Sequence, residues 1–363
     1  MLCRVLSARR VASLLLILLL PYLLQNLRIW LSPRSLVSPA NKQSGFFHVE
    51  KDENWRLKFQ GTANPDVVDD VAEWLGVGKL GEKGLCAPGS FRLATMETCM
   101  PWLGCQEMSD EVTVQNMFAR GKRKKVYNAT WRGHTVAYSN LSNTQYTPHF
   151  LRDVEMLRNM QPTSHVVQLV GSCNATLLTQ YHRLGSASKI DKIILDRKSN
   201  DVRTIFNVAI SYIEAIHFLH NSPIGTRVMT DSVQLRHALS QFLVTDDLRL
   251  VLNDLDDIPE VNPEENLFIK CRSTRNNSSF IAPEHRRFPL DRPRMSACDE
   301  KSDIWKIPPV VDFLLGNVNG SDVVRSHLFE VHQRCQNLDP KQRPSAKVVL
   351  KEYKRIRNML FPE

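Results

Sequence analysis

The chain has 363 residues, 42% of them hydrophobic and 23% charged, with 15 Gly and 19 Pro. These proportions exclude a disordered, collagenous or multi-spanning protein and fit one large globular domain or two smaller ones. A net charge of +9 would ordinarily raise nucleic acid as a partner, but six of those charges (Arg4, Arg9, Arg10, Arg28, Arg34 and Lys42) lie in an acid-free stretch over residues 1–45. The remainder is nearly balanced, so no nucleic-acid partner is expected.

The first predicted element is the apolar run 11–24 (VASLLLILLLPYLL), preceded by arginines and continued by Leu27, Ile29, Trp30 and Leu31. A cleaved signal peptide and a signal anchor both fit its length. The anchor fits better, because no small-x-small cleavage site follows and Tyr22 and Trp30 suit the membrane interfaces. The predicted organisation is a cytosolic N-terminus (1–10), a membrane-crossing anchor (11–31), a lumenal stem (32–82), a cysteine-bounded extension (83–110) and a folded domain (111–360). Export agrees with the sequons at Asn128, Asn140, Asn174, Asn276, Asn277 and Asn319, of which the overlapping Asn276 and Asn277 offer one site. It also agrees with seven cysteines beyond Cys3, enough for three bridges and one free thiol of undetermined connectivity. No CxxC pair is present to suggest zinc.

Within the folded part, Lys125–Thr130 and Thr135–Tyr138 read as strands joined by a Trp-Arg-Gly-His hairpin turn. Apolar residues at 150, 151, 154 and 157 mark a helix, and Val166–Val170 and Ala175–Gln180 two further strands. Ile205, Ala209, Ile213, Ile216 and Leu219 mark a long amphipathic helix ended by Asn221-Ser-Pro. Two short β-like runs follow, Phe242–Val244 and Leu248–Leu252, and then a mostly helical remainder. This order predicts an α+β, bilobal protein-kinase-like fold, with a β-rich N-lobe and a helical C-lobe.

The chemistry-bearing residues fit that order. Gln241 and Asp254 flank the short hairpin at the spacing of the two metal ligands of a kinase, so Asp254 is expected to hold Mg²⁺ or Mn²⁺ on ATP, with Gln241 giving a neutral oxygen. Asp231, in Val228-Met229-Thr230-Asp231 after the long helix, is the candidate base for an acceptor hydroxyl. Its spacing of ten residues from Gln241 requires an insertion. The strand position that usually carries the ATP lysine is Ser139, in Val136-Ala137-Tyr138-Ser139. The cation is therefore sought in the preceding strand, at Lys124, with Glu155 as its helix partner. The alternative is that 120–125 (Arg-Gly-Lys-Arg-Lys-Lys) is a solvated basic run. Downstream, Ala282-Pro283-Glu284 and Asp339-Pro340-Lys-Gln-Arg343 predict a buried ion pair between Glu284 and Arg343.

Several strings narrow the match: Cys99-Met-Pro-Trp-Leu-Gly-Cys105, Tyr181-His-Arg-Leu-Gly-Ser, Ser222-Pro-Ile-Gly-Thr-Arg-Val-Met, Asn253-Asp-Leu-Asp and Asp299-Glu-Lys-Ser-Asp-Ile-Trp-Lys-Ile-Pro. From about Cys86 onward the chain resembles the vertebrate protein O-mannose kinase family. The resemblance implies a single-pass type II enzyme of the endoplasmic-reticulum membrane with a lumenal catalytic domain. It would use ATP and Mg²⁺ or Mn²⁺ to phosphorylate the mannose 6-hydroxyl of the O-mannosyl trisaccharide GalNAc–GlcNAc–Man on α-dystroglycan. Ala119-Arg-Gly-Lys-Arg123 departs from the family's Gly-x-Gly-Ala-like loop. A lumenal pseudokinase that binds glycan or a partner without transfer, and a lumenal kinase of protein hydroxyls, are the alternative readings.

Overall fold

The computed structural model describes residues 85–198, 201–230, 233–270, 278–286 and 297–362, all within the second of two compact units, Thr62–Glu363. The expected anchor and stem, Asp231, Asn276 and Asn277 lie outside the described residues.

An N-terminal extension comes first, with short strands β1 (Ser90–Phe91) and β2 (Met100–Pro101) and helix α1 (Cys105–Glu111). A five-stranded antiparallel sheet follows, built from β3 (Val112–Arg120), β4 (Lys124–Trp131), β5 (His134–Leu141), β6 (Leu169–Cys173) and β7 (Thr176–Gln180) in the order β3-β4-β5-β7-β6. The β4–β5 turn is the predicted one. Arg132 and Gly133 both have positive φ, 46° and 82°, the backbone of a tight hairpin turn that favours glycine at its second centre. Strand β3 was not legible as a strand, because its residues from Thr113 onward are exposed and leave no alternating apolar face to read.

The extension is fastened to the sheet twice. Leu103 exchanges backbone hydrogen bonds with Val170 and Ser172 on β6 at 2.9 and 3.2 Å. The approach requires Gly171, since a Cβ there would meet the Leu103 carbonyl oxygen at 2.6 Å. The second tie is the Cys105–Cys173 disulfide, beside a Cys86–Cys99 bridge within the extension. Cys298 is also disulfide-bonded, and Cys335 is a free, buried thiol. Trp131, Phe91, Val136 and Leu178 fill the core between extension and sheet.

Helix α2 (Thr147–Asn159) packs on the sheet with Phe150, Asp153 and Leu157 inward. The helical region is centred on α4 (Val202–His220), whose apolar periodicity is satisfied by burial. Among the described helices only α4 is long and apolar enough to cross a membrane, and it is two-thirds buried as the core helix. Around it stand α3 (Ile190–Asp196), α5 (Leu235–Ser240), α6 (Lys301–Leu315), α7 (Ser321–Cys335) and α8 (Ala346–Leu360). Between them lie the pairs β9 (Phe242–Val244) with β10 (Leu250–Leu252), β8 (Thr226–Arg227) with β11 (Glu260–Val261), and β12 (Ile269–Lys270) with β13 (Ala297–Cys298). The described chain is therefore a mixed α/β protein, with a sheet-rich region followed by a helical one.

Candidate active site

Strand pairing explains how Lys124 serves where Ser139 stands. In the β4–β5 register Val126 lies opposite Ser139 and Lys124 opposite Leu141. Residues opposite each other share a face, and alternate residues return to it. Lys124 and Ser139 are therefore diagonal neighbours on the same face. A lysine moved one strand over still projects from the sheet towards α2.

Its ammonium meets two carboxylates. Lys124 Nζ lies 2.7 Å from Asp153 Oδ2 and 3.1 Å from Asp254 Oδ1. The Asp153 side chain is 1% exposed, and its Oδ1 accepts the Leu255 N–H at 2.9 Å, so one buried acid ties β4 to the segment after β10. Burial opposes the charge on Lys124, but Asp153 and Asp254 outweigh it and raise its pKa. Burial likewise opposes ionisation of Asp254, and Lys124 reverses the balance and holds its pKa low. Asp153 moves up, because its complete burial exceeds the effect of Lys124.

The expected partner was Glu155, and the structure corrects this. Glu155 is exposed, while Asp153 is fully buried. The reason is helical phase. The inward positions of α2 are 150, 153 and 157, and Glu155 falls on the opposite side. An acid three residues after Phe150 and four before Leu157, on an apolar face, was the available signal, because a buried carboxylate needs a cation or donors.

Gln241 and Asp254 are brought together by the hairpin. The Gln241 carbonyl accepts the N–H groups of Asn253 and Asp254 at 2.8 and 3.3 Å. Part of the wide spacing between Asp231 and Gln241 is occupied by α5, whose Ala238 and Leu239 are buried and whose last turn Gln241 caps. Asp254 is the more open carboxylate at 31% side-chain exposure, with Oδ1 on Lys124 and Oδ2 bonded to no described residue. A partly exposed carboxylate with one oxygen on Lys124 is the kind of hard donor a divalent cation that keeps phosphate and water ligands takes. The Gln241 side chain, by contrast, is buried and donates its amide N–H to the His237 carbonyl at 3.2 Å.

Arg123, next to Lys124, is ion-paired with the buried Asp256. The Asp256 carboxyl is pushed up to about 6, first by burial and then by the neighbouring charge of Asp254, against the pull of Arg123. The basic run is thus only partly solvated. Arg123 and Lys124 turn inward to carboxylates, whereas Gly121 and Lys122 are exposed.

The far anchor of the region is Glu284 with Arg343, a bidentate pair at 2.6 and 2.8 Å whose side chains are 3% and 0% exposed. Arg343 also donates to the carbonyls of Asn337 and Lys301, each at 2.9 Å, and lies over the Trp305 ring. Of the sequons, Asn174 and Asn319 are exposed, while Asn128 and Asn140 are half-buried within β4 and β5.

A lysine fixed by one acid and aimed at another, beside a two-strand hairpin that presents that second acid, is an arrangement for gripping a polyphosphate and its metal. Set between a five-stranded sheet and a helical region, it makes the chain a kinase-like protein. No family model matches the sequence, but relatives covering about three quarters of it do. It is 41% identical over 292 residues to the protein O-mannose kinase of Xenopus laevis, covering 78% of this chain and 83% of that one. Against the protein of the same name from Gallus gallus it is 40% identical over 292 residues, covering 78% and 82%. Against that of Homo sapiens it is 39% identical over 285 residues, covering 76% and 81%. The chain belongs to the protein O-mannose kinase family, and it is a kinase.

Proposed function

We propose that this chain transfers the terminal phosphoryl group of ATP to the 6-hydroxyl of O-linked mannose, in the GalNAc–GlcNAc–Man trisaccharide on α-dystroglycan. The reaction takes place in the lumen of the endoplasmic reticulum, with residues 11–31 as the membrane anchor. The observation that carries this reading is the Lys124–Asp153–Asp254 cluster. Lys124 grips the phosphates once nucleotide enters, with Asp153 holding its head in place. Asp254 and Gln241 would hold Mg²⁺ or Mn²⁺, which would neutralise charge on the phosphates. Asp231 accepts the proton of the attacking hydroxyl. A 6-hydroxyl is a primary alcohol, chemically close to that of serine, so an aspartate and a positioned phosphate can act on either. The family name on the relatives favours the mannose acceptor.

The test is phosphate transfer by the detergent-solubilised full-length chain, given ATP, Mg²⁺ or Mn²⁺ and the O-mannosyl trisaccharide, with Asp231→Ala alongside. Transfer by wild type alone is expected. Equal transfer by both proteins would remove Asp231 as the base. Transfer to serine peptides but not to the trisaccharide would replace the glycan acceptor. The lumenal reading predicts endoglycosidase-sensitive mass at the exposed Asn174 and Asn319, and a chain carrying no glycan at either would overturn it.

A further inference from the structure

Residues 228–230, which lead into Asp231, belong to no regular element, so other parts of the chain must hold their peptide groups. On one side the Val228 N–H donates to the Pro259 carbonyl at 3.2 Å, and Thr230 Oγ1 donates to the Asp257 carbonyl at 3.1 Å. On the other side α6 supplies two side chains one helical turn apart. Asp303 Oδ2 accepts the Met229 N–H at 3.0 Å, and Lys306 Nζ donates to the Met229 carbonyl at 2.8 Å. The same ammonium lies 3.1 Å from Asp303 Oδ1, and His220 Nε2 lies 3.3 Å from Oδ2.

The side chains of Lys306 and Asp303 are 8% and 1% exposed. Burying such a pair costs desolvation that its attraction barely returns, so an ion pair is no more stabilising there than apolar residues of the same volume. Stability alone therefore gives no reason for an Asp303–Lys306 pair in place of apolar residues on a helix whose neighbouring buried positions include Ile304 and Ile307. Its bond to Met229 does give one. The N–H and C=O of Met229 belong to successive peptide units, so fixing both fixes the backbone torsions between them. A carbonyl held by an ammonium is held more firmly than by a neutral donor.

We propose that Lys306 is a positioning residue for phosphotransfer. With Asp303 it clamps Met229 on both sides, two residues before Asp231 in the chain. The inference rests on the reading of Asp231 as the base. Lys306 acts through the backbone and not on the substrate, so its removal slows the chemical step without weakening the hold on either substrate.

The experiment compares wild type, Lys306→Met and Lys306→Arg as solubilised full-length proteins, with ATP, Mg²⁺ and the trisaccharide. Lys306→Met is expected to melt as a folded protein, with kcat at least tenfold lower and the KM values for ATP and trisaccharide within twofold of wild type. Unchanged kcat, or a loss confined to KM, would overturn the proposal. If the Met variant does not fold, Lys306→Arg decides. It keeps a donor in a displaced position, so a kcat threefold or more below wild type at unchanged KM supports the clamp, and full kcat overturns it. Failure of both variants to fold makes Lys306 a scaffold residue and overturns it as well. A wild type that transfers nothing removes the proposed function and this inference together, whereas an active wild type with an equally active Lys306→Met removes the inference alone.

Discussion

Lys124 on β4 and Asp153 on α2 meet at 2.7 Å, with the carboxylate 1% exposed and its second oxygen bonded to the Leu255 N–H. One acid thus sets both the cation and the start of the segment that follows Asp254. Sheet, helix and hairpin reach the same point, and the site exists only where all three do.

Removing Asp153 leaves the buried Leu255 N–H unpaired and the Lys124 ammonium with Asp254 alone. The loss is above about 1 kcal/mol but below the roughly 3–5 kcal/mol of a fully broken buried pair. Asp153→Ala is expected to lower the melting temperature and to abolish the thermal shift given by ATP and Mg²⁺. Glu155→Ala is expected to leave both within error. Calorimetric or dye-based melting of the two variants checks the assignment, and equal effects would return Glu155 as the partner.

The Glu284–Arg343 pair is almost completely buried. Glu284→Ala would leave the guanidinium facing Trp305 and two carbonyls with its charge uncompensated, and about 3–5 kcal/mol of stability should be lost. Denaturant unfolding of the variant measures it. A loss under about 1 kcal/mol, the scale of an exposed pair, would show that the pair opens in solution.

The Cys105–Cys173 bridge joins residues 68 apart in sequence. Closing a loop of that length restricts the unfolded chain by about 4 kcal/mol. The double replacement Cys105→Ser with Cys173→Ser should lose that amount and speed hydrogen exchange over β1 and β2. Unfolding under non-reducing conditions is the measurement, and exchange unaltered in the extension would mean that the backbone pairing with Gly171 suffices.

His165 is held near 4, chiefly by burial and then by Arg249, His217 and Lys354. Its folded pKa lies below the unfolded value of about 6.5, so the unfolded chain takes up a proton first as the pH falls. Its contribution to stability is therefore complete above about 6.5 and is lost as the pH drops towards 4. Asp256, raised to about 6 by burial and Asp254, works in the opposite sense below pH 6, so the histidine is best isolated by difference. The stability of wild type minus that of His165→Gln should fall by roughly 1.4 kcal/mol per pH unit across that window. A difference independent of pH would mean that the ring is protonated in the fold.

The elements with a strong period were legible in the sequence. The α4 stripe, the β4–β5 hairpin with its Arg-Gly turn, and the Gln241–Asp254 hairpin all follow from local chemistry that a short window contains. The edge strand β3 was not, because it makes its hydrogen bonds to β4 while its side chains face solvent. Lys124 was found by need, since the phosphates require a cation. Its partner is not legible from the apolar stripe at 150, 151, 154 and 157, because the buried face runs through 150, 153 and 157 and carries Asp153.

By itself the sequence determined the kind of chemistry and the order of its parts, because acids, a lysine and turn residues at set intervals are properties of the chain alone. Only the tertiary structure decided which acid holds Lys124, and that Arg123 turns inward to Asp256. It alone decided that Lys306 and Asp303 grip Met229 from α6, 74 and more residues away. Those choices depend on which groups share a desolvated space. Burial makes a charge expensive unless a partner is within reach, and the fold, not the local sequence, sets what is within reach.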